Sequence, residues 1–411
     1  MKILILQDDF PPDSLGGAGM IAFRLAKEFS RLGHEVFVIT ATSDKEKVGM
    51  SQYEGLTINK VYSNYHERWR GYLSLYNPQT VAEVKRIVSE FRPDVIHAHN
   101  VHTHLSYAAL HVCMNLCPKV YLTAHDMMAV YPGPFAQFIN KKDMICPKKF
   151  DYHVNALDTL KVYQLRYNFF RNIIIRNYLN HLSGVVAVSE ALKDGLSQNG
   201  IRITSVIRNG IDAPAWEVPP EQNFKEGLGV SGADVVLFGG RLSGVKGGEV
   251  ILEAMSRVAK HNPNARLLVV GRKDFYAGRM EKKAEALGIK EKIVFAGWLS
   301  EPDMKKAYAV STIVVVPSVH LDPFPTVNLE AFAAGKPVVA TCFGGSPEIV
   351  KDGENGFIVN PFNVVNLADA IVDLLSDKEK ARKFGETGHR LVAEKYSIDE
   401  MAKKYLSLFS K

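Results

Sequence analysis

The chain lacks the features of secreted, disulfide-stapled or membrane-spanning proteins. Its 411 residues include four cysteines, Cys113, Cys117, Cys146 and Cys342. They are too few and too scattered for a disulfide framework. No apolar run approaches the roughly 18 residues of a membrane span, and the first residues enter a strand without a secretory pattern. We therefore expect a cytoplasmic protein.

Basic and acidic residues nearly balance, with 50 Lys and Arg against 44 Asp and Glu and a net charge of +6. The excess lies in residues 1–213, which carry 24 basic and 19 acidic side chains, a difference of +5. A charge this small does not indicate nucleic acid as a partner. It favours an anionic ligand or an anionic surface, such as the inner membrane face, beside the N-terminal half.

Strands alternate with helices along the chain, and no internal repeat or low-complexity segment interrupts them. With 46% hydrophobic residues, this pattern predicts an α/β protein of two doubly wound parallel-sheet domains, because single cores rarely grow beyond about 300 residues. We place the N-terminal domain at 1–212, a Pro- and Gly-rich linker at 213–233, the C-terminal domain at 234–394 and a final helix at 395–411.

The most informative stretch is 318–340, which lies between two strongly apolar runs. The runs predict two buried parallel strands, joined by a loop and a helix that begins at Thr326 as its N-cap. The free N–H groups of the first turn would face the carboxyl ends of the strands, where α/β sheets bind anions. Asp322 in the loop and Glu330 on the helix are separated by seven residues. In other surroundings such a pair would indicate only a solvated loop and helix.

Further polar residues follow other predicted strands of the C-terminal half. The turn 239–248 combines glycines with Arg241 and Lys246, which would supply two cations to a diphosphate at a helix start. It lacks the G-K-[ST] ending of a P-loop. Gly240, Gly271, Arg272, Trp298 and Leu299 lie at or just beyond the ends of these predicted strands. The Trp298 ring either stacks on a ligand or packs in the core, and the sequence favours neither.

In the N-terminal half, a turn with Gly16 and Gly17 follows the first strand. Alone, it is as consistent with chain reversal as with phosphate contact. Four histidines lie within 97–104, but alternation along a strand sends neighbouring side chains to opposite faces, so we expect no metal site. We place His99 and His102 near the carboxyl ends of the strands, where this type of sheet binds ligands.

His125 and Asp126 follow the predicted strand 120–124, at the strand end where this architecture places its working residues. A lone histidine there is more often structural than catalytic. Residues 127–151, including Tyr131, lose periodicity and contain Lys141, Lys142, Lys148 and Lys149. This segment borders an acceptor site or is a solvated loop. Residues 157–182 predict one helix, whose aromatic stripe packs in the core or contacts a membrane.

These motifs together resemble a known family. The stretch D-P-F-P-T-V-N-L-E-A-F-A-A-G-K-P-V-V-A-T, followed by G-G-S-P-E-I-V-K-D-G-E-N-G-F-I-V, is similar to the donor-site signature of the family 4 retaining glycosyltransferases. Those enzymes have the GT-B architecture of two Rossmann-like domains facing a central cleft. Their motif is Glu, seven residues, Glu; here Asp322 takes the first position. The similarity extends to G-R-L…K-G, to Thr-x-His at His125 and to nearly the whole chain.

The resemblance implies roles for these residues. Arg241 and Lys246 would neutralise the leaving nucleotide, Glu330 would bind ribose hydroxyls, and Asp322 would bind hydroxyls of the sugar. Around the donor it places Gly16, Gly17, Gly240, Gly271, Arg272, Trp298, Leu299, Pro323, Phe324, Pro325, Thr326 and Val327. His125 would approach the transferred sugar from the N-terminal domain, with His99, His102, Asp126 and Tyr131 on the acceptor side. The final helix would cross back onto the N-terminal domain.

The implied activity is transfer of a sugar from a nucleoside-diphosphate sugar to a hydroxyl acceptor, with retention of anomeric configuration. The acceptor is a glycolipid, polysaccharide or small molecule, lipid-linked or anionic. We expect no metal and no cofactor besides the donor substrate, because Arg241, Lys246 and helix N–H groups would replace a metal. Two alternatives stay open: an epimerase or sugar-phosphate synthase of the same architecture, and a non-catalytic nucleotide-sugar binder.

Overall fold

The computed structural model describes residues 1–13, 16–155, 157, 159–160, 168–240 and 242–411. The chain divides into two compact units. Met1–Phe135, Asp151–Asn209 and Ile398–Lys411 form the first unit, and Ala136–Phe150 with Gly210–Ser397 form the second. Each unit contains a mostly parallel sheet flanked by helices. The predicted α/β class with two Rossmann-like domains is therefore confirmed.

The sheet of the first unit consists, in its described part, of eight strands. They are β1 (Lys2–Leu6), β2 (Glu35–Thr42), β3 (Gly49–Tyr53), β4 (Leu56–Tyr62), β5 (Val95–Ala98), β6 (Val120–Ala124), β7 (Gly184–Ala187) and β8 (Ser205–Val206). Their order is β3-β4-β2-β1-β5-β6-β7-β8. Only β3 and β4 pair antiparallel within these residues, so the carboxyl ends of β1, β5 and β6 lie at one edge of the sheet.

Helices cover this sheet because their apolar residues recur at helical spacing. They are α1 (Gly17–Arg31), α2 (Arg70–Leu73), α3 (Val81–Phe91), α4 (Tyr107–Met114), α5 (Arg171–Asn180) and α6 (Glu190–Ser197). In α1 the residues Ile21, Leu25 and Phe29 are buried against β1. The Ser189 hydroxyl caps α6 by accepting from the Leu192 N–H.

The sheet of the second unit has six strands among the described residues. They are β9 (Asp234–Gly239), β10 (Ala265–Val270), β11 (Ile293–Gly297), β12 (Ile313–Val316), β13 (Val338–Thr341) and β14 (Gly356–Val359), in the order β11-β10-β9-β12-β13-β14. All of these neighbours pair in parallel. The adjacent pair β12 and β13 are the two apolar runs that flank the 318–340 stretch, as the sequence predicts.

The helices of the second unit are α7 (Gln222–Gly227), α8 (Gly248–His261), α9 (Phe275–Ala286), α10 (Glu301–Val310), α11 (Thr326–Ala333), α12 (Ser346–Ile349), α13 (Val364–Ser376) and α14 (Lys378–Lys395). The segment 213–233, predicted as a linker, lies in the second unit and contains α7 and the buried Trp216. Its indole packs edge-on against Tyr308, with ring centroids 5.4 Å apart.

The last helix, α15 (Ile398–Phe409), belongs to the first unit. Tyr405 and Phe409 are fully buried, and the Phe409 ring lies 5.9 Å from that of Phe29 on α1. The predicted final helix began at 395, but Lys395 ends α14 and α15 starts three residues later. No helix among the described residues has the length and hydropathy needed to span a membrane.

Two predictions in the first unit need correction. The helix predicted over 157–182 is interrupted. Residues 157 and 159–160 are helical, but the Phe170 N–H donates to the Asn168 side chain in a turn, and α5 begins only at Arg171. Residues 161–167 lie outside the described residues. The irregular segment predicted within the N-terminal domain is divided, and Ala136–Phe150 belongs to the second unit.

Contacts far along the chain explain why Ala136–Phe150 belongs to the second unit. The Asn360 amide donates to the carbonyl oxygens of Asp143 and Ile145, at 2.9 Å each. The rings of Phe138 and Phe150 pack edge-on against Phe343. We call Ala136–Phe150 the strap.

Candidate functional site

The loop between β12 and α11 holds Asp322 in a buried position. Its carboxylate is 6% exposed, and Oδ2 accepts hydrogen bonds from Lys246 Nζ at 2.5 Å and Ser318 Oγ at 3.0 Å. Among the described residues, no hydrogen bond reaches its other oxygen, Oδ1. Asp322 therefore has one oxygen fixed by the protein and one available to a ligand.

Neighbouring charges decide the ionisation of Asp322. Burial alone would raise the pKa of its carboxyl, but Lys246, His320 and the bond from Ser318 together hold that pKa below its usual value. The carboxylate is therefore charged at neutral pH. The Lys246 ammonium has three donors, and its bond to Asp322 uses one of them.

Backbone geometry fixes this loop. The Asp322 carbonyl accepts from the Gly345 N–H at 2.9 Å. Gly344 has φ +71°, and a Cβ there would lie 2.1 Å from the Asp322 carbonyl oxygen, so glycine is required. Because Gly344 follows Phe343, the strap packs on the same turn that supports Asp322.

The turn between β9 and α8 brings Lys246 to this loop. A single 3₁₀ turn, Gly244–Lys246, precedes Gly247, the N-cap of α8. Gly247 has φ +83°, and a Cβ there would lie 2.0 Å from the Pro317 carbonyl oxygen. The Val319 N–H donates to the Val245 carbonyl at 2.8 Å. The two loops therefore form one surface at the N-terminus of α8. Arg241, predicted beside Lys246, lies outside the described residues.

Helix α11 presents free backbone donors beside this surface. Its N-cap is Pro325, and Thr326 is the first helical residue, so the predicted cap was wrong by one position. Within the described chain, the N–H groups of Thr326 and Val327 donate to no acceptor, whereas the Asn328 N–H donates to the Pro325 carbonyl. The N–H groups of Thr326 and Val327 are thus open to an anion.

Glu330 lies in the second turn of α11, where Tyr308 of α10 donates its hydroxyl to Glu330 Oε2 at 2.8 Å. Tyr308 is fully buried, and burial together with Glu330 raises the pKa of its hydroxyl well above the usual value, so it stays a donor. Sequence reasoning missed Tyr308. The sequence pattern of an aromatic residue on a buried helix face does not indicate a hydrogen bond from its hydroxyl to a carboxylate 22 residues away.

The remaining donor-side candidates lie at the ends of β9, β10 and β11. The Gly271 N–H donates to the Gly297 carbonyl at 2.9 Å. This bond joins the ends of β10 and β11. Strand β11 ends at Gly297, whose φ is +76°. Trp298 and Leu299 therefore lie beyond the strand.

The structure favours an exposed role for Trp298. Its indole is 52% exposed, and the Arg272 guanidinium lies 5.3 Å from its ring centroid. The ring is thus not part of the core. Phe324, in contrast, is 4% exposed and stacks on Tyr396, with ring centroids 5.9 Å apart. Its ring supports the loop, so its predicted donor contact is not one that the side chain can make. Pro323 and Pro325 flank it in the same loop.

In the first unit, His125 follows β6 and is half-buried. Its Nε2 is bonded to Nδ1 of His99 at 2.9 Å. Burial lowers the pKa of His125 to about 4, although Asp126 opposes this shift. No described residue forms a hydrogen bond to its Nδ1. His125 is therefore a neutral imidazole, held on one side only.

Two of the predicted acceptor-side residues are buried. His99 is 1% exposed and contacts His125, and Tyr131 is 4% exposed with its ring packed on Phe135. Both side chains pack against buried neighbours, and their place on the acceptor side stays a prediction.

His102 and Asp126 do lie together, with His102 Nε2 3.7 Å from Asp126 Oδ2. The Asp126 side chain is 36% exposed. A cavity of about 20 Å³ adjoins them and His125. The sequence did not predict a role for Asp8. Its buried carboxylate accepts hydrogen bonds from the N–H groups of Thr103, His104 and Leu105. These bonds fix the loop that carries His102.

Gly16 and Gly17 begin α1, and Gly16 is its N-cap. Ser14 and Leu15, which precede them, lie outside the described residues. The first unit thus brings together a helix start, a neutral histidine and a carboxylate. The second unit brings together a lysine, two carboxylates and free helix N–H groups. Two Rossmann-like units with these groups at their strand ends define a nucleotide-dependent transferase of the GT-B architecture.

Comparison with known proteins identifies the family. The sequence profile described as Glycosyltransferase Family 4 matches residues 15–213, and the profile described as Glycosyl transferases group 1 matches residues 220–391. The chain belongs to these family 4 glycosyltransferases, as the motifs of its sequence predict. It is a glycosyltransferase.

Individual relatives agree with this assignment. An uncharacterized glycosyltransferase of Methanocaldococcus jannaschii is 28% identical over 424 residues, covering 100% of this chain and 98% of the relative. The lipopolysaccharide 1,2-N-acetylglucosaminetransferase of Salmonella typhimurium is 33% identical over 211 residues, 49% of this chain and 55% of that protein. The crystal structure of Anabaena HepE in complex with UDP and glucose is similar in fold, with a TM-score of 0.75, 23% identity and coverage of 100% and 99%.

Proposed function

We propose that this glycosyltransferase moves a sugar from a nucleoside-diphosphate sugar to a hydroxyl acceptor, with retention of anomeric configuration. The observation that carries the proposal is the pairing of Lys246 with Asp322 at the start of α8, next to the free N–H groups of α11. A cation and helix N-termini are the groups that bind a diphosphate. A carboxylate oxygen beside them suits the hydroxyls of the attached sugar.

Each group has one task in this proposal. Lys246 and the N–H groups of Thr326 and Val327 bind the diphosphate and stabilise the negative charge that grows on it as the glycosidic bond breaks. Glu330, oriented by Tyr308, accepts from the ribose hydroxyls. Asp322 Oδ1 accepts from a sugar hydroxyl, while its Oδ2 keeps Lys246 in place.

The first unit supplies the acceptor side. His125 Nδ1 contacts the transferred sugar, and Asp126 with His102 contacts the acceptor. The acceptor hydroxyl attacks from the face that the nucleotide leaves, and the departing phosphate oxygen takes its proton. We propose that no metal ion takes part, because Lys246 and the helix N–H groups supply the positive charge. Full activity in excess chelator would support this point.

The acceptor that we propose is a lipid-linked or anionic glycan made at the cytoplasmic face of a membrane. The Salmonella relative is named for a lipopolysaccharide reaction, and the strap carries features that suit an anionic surface. Met144 and Ile145 are 47% and 78% exposed on it. Four exposed lysines, Lys141, Lys142, Lys148 and Lys149, flank them. Among the described residues, these lysines form no ion pair.

The experiment that tests the proposed function is a thermal-shift screen against a panel of nucleotide sugars, followed by transfer assays with the donor that binds. A ligand that binds only the native state stabilises it by about 2.7 kcal/mol at a hundred times its Kd. We expect one donor class to raise Tm and to be consumed faster with an alcohol acceptor present. Binding without cleavage of any donor would show a non-catalytic binder. Conversion of the donor without transfer to the alcohol would indicate an epimerase or a synthase.

A further inference from the structure

The first unit contains a buried cluster of aromatic and polar side chains behind His125. His97 and His99 lie on the same face of the chain at β5, with ring centroids 4.3 Å apart. His97 Nε2 is bonded to Thr123 Oγ1, and that hydroxyl is bonded to the Tyr405 hydroxyl of α15, at 2.8 Å each. All four side chains are at most 1% exposed.

The cluster reaches His125 through a single hydrogen bond. His99 Nδ1 and His125 Nε2 are 2.9 Å apart, and their rings are nearly parallel at 19°. The other nitrogen of His99, Nε2, is buried and meets no partner among the described residues, and the same is true of His97 Nδ1. Buried polar atoms without partners are rare and costly. The two unpartnered nitrogens destabilise the folded protein, which indicates that the cluster has a functional role.

We propose that His99 is the positioning residue that sets the tautomer and ring orientation of His125. The inference rests on the proposed contact of His125 with the transferred sugar. In a hydrogen bond between two neutral imidazoles, a nitrogen of one ring donates and a nitrogen of the other accepts. If His99 Nδ1 donates, then His125 carries its proton on Nδ1 and donates to the sugar. If His99 Nδ1 accepts, then His125 Nδ1 is an acceptor.

This arrangement requires both rings to be neutral, and burial keeps them neutral. Burial lowers the pKa of His125 to about 4, and burial with the neighbouring His97 and His125 lowers the pKa of His99 well below its usual value. The bond therefore joins two neutral rings throughout the physiological range. His97 packs against the His99 ring and fixes its orientation. The hydrogen bond between His97 and Thr123 holds His97 in place.

Three substitutions of His99 separate positioning from packing. An Asn side chain can place its amide where Nδ1 lies, a Gln side chain reaches the position of Nε2 instead, and Leu removes the polar atoms. We expect His99→Asn to keep most of the wild-type kcat. We expect His99→Gln and His99→Leu to lower kcat about 10- to 100-fold, the size of effect that a misplaced catalytic group produces, with the KM for the donor little changed.

The matched control is Tyr405→Phe. It removes a hydrogen bond from the same buried cluster but leaves His99 Nδ1 and His125 in contact. We expect its kcat to stay within about twofold of the wild type. Thermal unfolding of each variant separates loss of fold from loss of position, and ¹⁵N shifts of the His125 ring report its tautomer directly.

The outcomes distinguish this inference from the role of His125. If His125→Ala retains transfer, the proposed contact with the sugar is wrong. If His125→Ala loses transfer while His99→Leu keeps it, the contact stands and positioning by His99 is overturned. Equal losses in His99→Asn, His99→Leu and Tyr405→Phe, or an unchanged His125 tautomer in His99→Leu, would also overturn it.

Discussion

Asp322 is the residue at which this chain departs from the pattern of its family, and the structure shows what the shorter side chain does. One oxygen contacts Lys246 and Ser318, and the carboxylate is almost fully buried. The Gly345 N–H holds its backbone. A glutamate at this position would carry its carboxylate roughly 1.3 to 1.5 Å further from that anchored backbone, a distance that turns a good hydrogen bond into a poor one.

We predict that Asp322→Glu changes the ranking of donor sugars as well as the overall rate. The longer side chain cannot keep both the bond to Lys246 and the position of Oδ1, so each pattern of sugar hydroxyls is affected differently. The measurement is kcat/KM for several nucleotide sugars with wild type and variant. A uniform change across all donors would mean that Asp322 holds Lys246 but does not read the sugar.

The buried histidines give the stability of the first unit a pH dependence. Burial lowers the pKa of His97 to about 3 and of His125 to about 4, from ordinary values near 6.5. Because these folded-state values lie below the unfolded ones, the unfolded chain binds more protons in between. The stabilisation is complete above about pH 6.5 and is lost as pH falls toward 4, by up to about 1.4 kcal/mol per pH unit for each ring.

We predict that His97→Gln makes this decline with pH shallower. Gln can place its amide at the position of Nε2 and keep the bond to Thr123, but it does not titrate. Denaturant unfolding between pH 7 and pH 4.5 measures the slope for wild type and variant. Identical slopes would show that His97 does not contribute to the loss of stability.

At the scale of elements, the strands and the first helix turns are the part of the fold that the sequence predicts well. The strand Val120–Ala124 has the predicted bounds, because apolar periodicity with a clear stop is a local property. The placement of Lys246 near Asp322 follows from the parallel sheet. Both residues lie just beyond the carboxyl ends of neighbouring strands, β9 and β12.

What the sequence could not predict depends on contacts distant along the chain. The strap belongs to the second unit because of bonds to Asn360, 215 or more residues away. The sequence predicts His99 on the acceptor side but does not predict its hydrogen bond to His125. That bond forms because the two residues follow the adjacent strands β5 and β6. Strand alternation gives the face on which a side chain lies, but not which neighbour fills the space beyond it.

The strap yields a prediction about surfaces. Changing Lys141, Lys142, Lys148 and Lys149 together to Ser should weaken binding to vesicles containing anionic lipid by about 100-fold or more, since each lysine near such a surface contributes about 1 kcal/mol. Donor hydrolysis without an acceptor should be unchanged, because these exposed lysines do not form the site around Lys246.

A control variant removes the same charge elsewhere. Lys260, Lys282, Lys395 and Lys404 are exposed lysines outside the strap, and their replacement by Ser lowers net charge by the same amount. Vesicle sedimentation at fixed salt compares the two variants. Equal loss in both would show a general charge effect, and equal loss of hydrolysis and transfer in the strap variant would show that the strap is not an acceptor element.

At the scale of the whole molecule, each unit contains its own cluster of polar groups. In the second unit, Lys246 is paired with Asp322. In the first unit, α15 joins the buried cluster behind His125 through Tyr405. Because α15 follows the second unit in sequence but packs in the first, the first unit is assembled from segments that are distant along the chain.

We propose retaining transfer from a nucleotide sugar, and the anomeric configuration of the first product distinguishes retention from inversion. The wild-type protein is incubated with the donor that raises its Tm and with an alcohol acceptor, and ¹H NMR follows the anomeric proton from the start of the reaction. We predict a glycoside with the same anomeric configuration as the donor. A glycoside of the opposite configuration would show inverting transfer and overturn the proposal.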